Sequence, residues 1–206
     1  MLFRSHLNPG SSGHLFYAYS GPDLLNALLF FPQMKEYTLA ALEKPGNIDS
    51  LEDMKKKNVV AEMAEIQKTL RTFFKVNYFR TNEMKEDIRQ NSFTSVSNLM
   101  FFFISRLGYE IESFKAFELN KKGELEDKKN AKGYDHGFEI MFRKPGEKEL
   151  KRVRYFRVNF FDDTFRKSPF RLHIEQYKNF NVMLKAASYL MHETNKIGRA
   201  SCRERG

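Results

Sequence analysis

The sequence predicts an α/β protein of three layers, with an antiparallel hairpin on its C-terminal side. Three observations carry this. Two strand-like runs in the first 43 residues are joined by one short helical segment. Apolar residues recur at helical spacing between Val59 and Phe73. Two further strand-like runs flank "KPGEKE" near residue 147. Two early strands joined by a single helix imply a parallel pair with a right-handed crossover.

The elements follow in order. "HLFYAYS" (His14 to Ser20) is aromatic-rich and preceded by "NPGSSG", so it is the first strand. "SGPDLLNALLFFP" is a short helix, with Ser20 as its N-cap, Asp23 completing a capping box, Pro22 in the first turn and Pro32 closing it. "EYTLAALE" (Glu36 to Glu43) is the second strand, stopped by "KPGN". Ser50 and Asp53 open a long helix buried through Val59, Met63, Ile66, Leu70 and Phe73. "TNEMKEDIRQN" is a short polar helix, and "SVSNLMFFFISRLG" is a core helix ended by Gly108. Tyr109 to Leu119 is the third strand, and the charged stretch Asn120 to Gly133 is a loop. The hairpin strands lie near Phe138–Arg143 and Val153–Phe161. Two helices, "SPFRLHIEQYKNF" and "NVMLKAASYLMHE", close the segment.

Both ends carry a different kind of signal. Residues 196–205 back-translate to a sequence resembling a sequencing-library adapter, and "LFRS" (Leu2 to Ser5) back-translates to the reverse complement of its start. Residues 1–5 and 197–206 are therefore expected to be adapter-derived, flanking a metagenomic fragment with a single α/β domain over residues 6–196, truncated at its C-terminal side. Within residues 6–196 there are 31 basic and 25 acidic side chains, and the lone Cys202 lies outside. Disulfides, thiolate nucleophiles and cysteine-ligated metals are thereby excluded from that segment. Its 191 residues suffice for one continuous core. No apolar run reaches the ~18 residues a membrane span needs.

The sharpest chemical candidate is "YSGPDLLNALLFFP…YTLAALE", a strand, a small-residue turn, a helix and a strand ending in an acid. Gly21 and Glu43 are 22 positions apart, near the ~20-residue spacing at which an acid reaches ribose hydroxyls in Rossmann-type sites. The stretch resembles the first βαβ unit of S-adenosylmethionine-dependent methyltransferases. Asp23 would put negative charge where a pyrophosphate otherwise sits. That resemblance implies a Rossmann-like, methyltransferase-like sheet, S-adenosylmethionine as cofactor, and cofactor contacts at Ser20, Gly21, Asp23 and Glu43. Asp162 and Asp163, at a strand end in "FFDDTF", are the substrate-side candidates. The turn has one glycine where such enzymes have two or three, and the same residues suit a capped helix between two core strands.

A second candidate is Arg143 to Arg171, with ten basic and four acidic residues. Arg154, Tyr155, Phe156 and Arg157 interleave charge and rings, as single-strand nucleic-acid platforms do. Strand alternation puts Arg154, Phe156, Val158 and Phe160 on one face and Tyr155 and Arg157 on the other, which is also what a solvated hairpin shows. The five histidines have no metal-ligand or nucleophile-pair spacing, and Ser20 lacks a Gly-x-Ser-x-Gly elbow.

"FYAYSGPDLLNALLFFP", "YTLAALEKPG", "YFRTNEMKEDI", "ISRLGYEI" and "LKAASYLMH", in this order, resemble an uncharacterised bacterial protein family over most of Phe16 to His192. The resemblance implies an export signal and an extracytoplasmic place, and it carries no catalytic residue. Here the second strand runs into "LEKPG" where the family tends to have "LEPVG". The expected function is an exported α/β protein with a small-molecule-binding or structural role. The alternatives are a methyltransferase-like enzyme and binding of nucleic acid or an anionic surface through Arg143–Arg171.

Overall fold

The computed structural model describes residues 13–46, 95–127, 136–177 and 180–185, all in one compact unit. Its elements are β1 (His14–Ala18), α1 (Leu24–Phe30), β2 (Glu36–Ala41), α2 (Val96–Arg106), β3 (Glu110–Leu119), β4 (Leu125–Asp127), β5 (His136–Arg143), β6 (Lys151–Arg157), α3 (Asp162–Phe165), α4 (Pro169–Glu175) and β7 (Val182–Lys185). The two helices expected between Ser50 and Asn91, the end of the "KAASYLMH" helix and both chain ends lie outside the described residues.

One mixed sheet of seven strands runs β4-β3-β5-β6-β2-β1-β7. β7, β1, β2 and β6 are mutually parallel, whereas β5, β3 and β4 are antiparallel. Alternation sends Leu15, Tyr17, Tyr37, Leu39, Val153, Tyr155, Phe138 and Ile140 to one buried face. There α1 is held by the Tyr37 hydroxyl, which donates to the Phe31 carbonyl at 2.8 Å. On the same face Phe101 of α2 packs on Phe114, which packs in turn on Phe138. Phe16, Ala40, Phe117, Phe156 and Val158 fill the opposite face under Phe170 of α4 and Phe165 of α3. Helices on both faces make the three α/β layers, and they explain why β1 and β2 are apolar on both faces over most of their length.

Ser95 caps α2 by accepting from the Asn98 amide. Gly108, at φ +78°, ends it, because that left-handed geometry strains any side chain. Gly137 has another duty: a Cβ there would meet the Tyr155 carbonyl at 1.8 Å, so its absence lets β5 and β6 close.

Four expectations need correction. The run "VMLK" is β7, a parallel partner of β1, where a helix was expected. A run of four residues fits either element by periodicity, and pairing with β1 decides it. The loop expected from Asn120 contains β4, which pairs with β3. β6 ends at Arg157, and Asp162–Phe165 then turn into α3. Finally, the β5–β6 hairpin is antiparallel as expected, but β6 joins β2 in parallel. The hairpin is thus built into the sheet, with β7 beyond β1 on the far edge.

Candidate functional site

The turn after β1 is the sheet's most unusual backbone. Tyr19 adopts φ +57° and Gly21 φ +52°, and a bulky residue in that region is an outlier. The Ser20 amide donates to the Ala40 carbonyl at 3.2 Å, and the Asp23 amide to the Ser20 carbonyl at 3.1 Å. Ser20, expected as the helix cap, instead turns its hydroxyl on the Gly21 carbonyl at 3.1 Å. Asp23 is the cap, accepting from the Asn26 amide at 3.3 Å, with Tyr17 Oη donating at 2.5 Å and Asn26 Nδ2 at 3.0 Å. The capping role falls three residues later because Pro22 and the left-handed Gly21 hold the chain out of the helix until Leu24. Burial pushes the Asp23 carboxyl up to about 6, against the opposing pull of its three hydrogen bonds.

Glu43 lies two residues beyond β2 and is 7% exposed. Its carbonyl accepts from Tyr155 Oη at 2.9 Å. Tyr17, Leu39 and Tyr155 stand side by side in one row of the parallel strands. Each tyrosine therefore ties down a loop at the strands' carboxyl ends: Tyr17 the turn before α1, Tyr155 the exit of β2. Burial raises the Tyr155 hydroxyl well above its ordinary value, so it stays protonated and donating.

Asp162 and Asp163 are exposed in the first turn of α3. The Tyr19 ring packs on Phe160 at 4.5 Å, so the β1 turn and the segment entering α3 meet. All six sequence-derived site residues thus share the carboxyl edge of the parallel strands. The side chains of Ser20 and Asp23 are wholly buried, however, and turned to holding the chain.

Four of the ten basic side chains in the stretch are paired with acids from outside it. Arg143 pairs with Glu112 at 2.7 Å and Arg154 with Glu139 at 2.8 Å, while Arg152 reaches Glu36 at 3.3 Å and Glu139 at 3.4 Å. Arg171 pairs with Glu175 at 2.8 Å. Lys151 is buried, its ammonium donating to the carbonyls of Pro32 at 2.7 Å and Met34 at 2.8 Å. Counting charges within Arg143–Arg171 misses partners that β2, β3 and β5 bring in.

A polar cluster that no sequence motif marks lies under α4. His14 Nε2 lies 2.7 Å from Thr38 Oγ1, and His14 Nδ1 4.0 Å from Glu36. Arg154 Nη1 donates to Tyr177 Oη at 2.7 Å, and His173 lies against Tyr177 and Phe156. The hydroxyl–imidazole–carboxylate order of Thr38, His14 and Glu36 resembles a nucleophile with its base. Thr38 is 2% exposed, so no outside substrate reaches that hydroxyl in this arrangement. A legible signal did exist: "HxFxA", "ExTxA" and "RxRxF" in three strands each begin polar and end apolar on the same face.

Among the described residues, no group of three or more His, Cys, Asp or Glu is placed to hold a metal ion. None of the described helices is long and apolar enough to cross a membrane. No protein-family model, curated protein or solved structure matches this chain.

Proposed function

We propose that this chain is an exported small-molecule-binding α/β module whose ligand edge is the carboxyl end of β1, β2 and β6. Its export rests on the family resemblance alone. One observation carries the binding reading: Tyr19 holds a left-handed backbone and a 44% exposed ring against Phe160, beside the 69% exposed Phe161. Backbone strain concentrates where a site needs it. In parallel sheets ligands bind beyond the strands' carboxyl ends, where the chain leaves to opposite sides. The chain leaves β1 into α1 on one face and β6 into α3 and α4 on the other, with β2 between these two parallel strands. The half-exposed rings suit a planar aromatic ligand stacked on Tyr19.

The methyltransferase-like reading keeps one support, the parallel β1–α1–β2 unit. Against it, Asp23 is engaged in capping α1, and Glu43 is buried.

Thermal shift with a panel of planar aromatic compounds, including adenosine and S-adenosylmethionine, separates the two. The binding reading predicts a shift with a planar compound that Tyr19→Gly abolishes and the exposed-site change Lys148→Ala keeps. A silent panel, or an equal shift in Tyr19→Gly, contradicts it. A shift by S-adenosylmethionine that Glu43→Ala weakens supports the alternative instead.

A further inference from the structure

The polar cluster at the amino ends of β1, β2 and β6 also fastens α4 and β7 to the sheet. The His14 amide donates to Asn181 Oδ1 at 2.8 Å, and the Asn181 amide to the His14 carbonyl at 2.9 Å. Tyr177 and Phe180 meet the His14 ring edge-on at 4.9 and 4.7 Å. On α4, His173 Nδ1 sits 2.8 Å from the Gly123 carbonyl and so donates to it. That leaves Nε2 as the bare nitrogen of a neutral ring, buried without a hydrogen-bond partner. Tyr177 lies between the two imidazoles, 4.9 Å from one and 5.3 Å from the other, with Arg154 on its hydroxyl.

We propose that His14 and His173 form an acid-sensitive clasp that holds α4 and β7 on the sheet while both imidazoles are neutral and releases them on protonation. A proton on His173 Nε2 would create a buried donor with nothing to accept from it. The groups around both rings act in both directions. Facing His14 are Glu36 from β2, which favours the cation, and Arg152 and Arg154 from β6 and His173 from α4, which disfavour it. Glu139 of β5 is already engaged by Arg152 and Arg154. Facing His173, the Gly123 carbonyl favours the cation and Arg154 disfavours it. Lys122 and Glu124 beside Gly123 are exposed, as is Glu175 of α4, which pairs with the half-buried Arg171.

Burial is the largest influence on both rings. It holds His14 down at about 4 and lowers His173 too. The sign follows: a base whose docked value lies below its free value of about 6.5 holds fully above that pH and loses hold as pH falls toward about 4. By pH 5, His14 alone shifts the balance toward release about thirtyfold.

Hydrogen exchange of the full chain at pH 7.5 and pH 5, corrected for intrinsic amide rates, tests this. Protection in α4 and β7 should fall by about thirtyfold or more, while β5 and the Val153–Phe156 part of β6 stay protected. His14→Gln should dock normally at pH 7.5 and lose most of the pH response. His173→Gln serves the same end if that variant fails to fold. Protection in α4 and β7 that ignores pH, or that falls in step with β5 and β6, overturns the proposal.

Discussion

Tyr19 is the one non-glycine residue with a left-handed backbone among the described residues. That conformation costs an ordinary side chain roughly 1–2 kcal/mol. Contact of its ring with Phe160 returns about 0.5–1.5 kcal/mol. Tyr19→Gly removes both, so its stability in denaturant unfolding should stay within about 1 kcal/mol of wild type. A much larger loss would mean that the ring serves the core rather than an open edge. Beside it, Asp23 shows how one residue type can be read two ways. From spacing alone its carboxylate suited both a cofactor contact and the capping box of a helix that Ser20 begins. The choice was made by Tyr17, six residues earlier, whose hydroxyl reaches back to it from β1. No local pattern records that bond, because it depends on which face of the strand Tyr17 takes.

The parallel pair β1–β2, α2 with its terminal Gly108, β3 and the β5–β6 hairpin were all legible, since each rests on local periodicity bounded by turn residues. β7 was not. Four residues carry too little period, and its strand state depends on an edge offered by β1. The partners of Arg143–Arg171 were hidden for a related reason, lying on strands distant in sequence. Lys151 shows how such a partner anchors an element. Its ammonium joins the start of β6 to the loop between α1 and β2, and burial lowers its pKa. Lys151→Met keeps the stem but leaves the Pro32 and Met34 carbonyls without this donor. It should cost about 1–3 kcal/mol, read as a lower denaturant midpoint with an unchanged slope. An unchanged midpoint would show that water replaces the ammonium without cost.

Across the whole molecule, acid acts in two opposing directions. The carboxyl of Asp23 is raised to about 6, so its burial penalty is absent below the unfolded value near 3.8 and complete above about 6. From this group alone, acidification from pH 7 to 4 stabilises the fold by about 2–3 kcal/mol. His14 and His173, both depressed, destabilise it over an overlapping window. Asp23→Asn removes the compensating influence, so its unfolding free energy should fall more steeply than wild type between pH 7 and pH 4.5. Parallel pH profiles would show that Asp23 titrates normally. In the proposed function the carboxyl edge around Tyr19 meets the ligand while Ser20 and Asp23 hold the backbone beneath it. An amide-resolved chemical-shift map recorded with a mixture of planar aromatic fragments is the decisive measurement. Shifts should cluster at Tyr19, Gly21, Phe160 and Phe161. No shift there, or shifts confined to β3, β4 and α2, would contradict it.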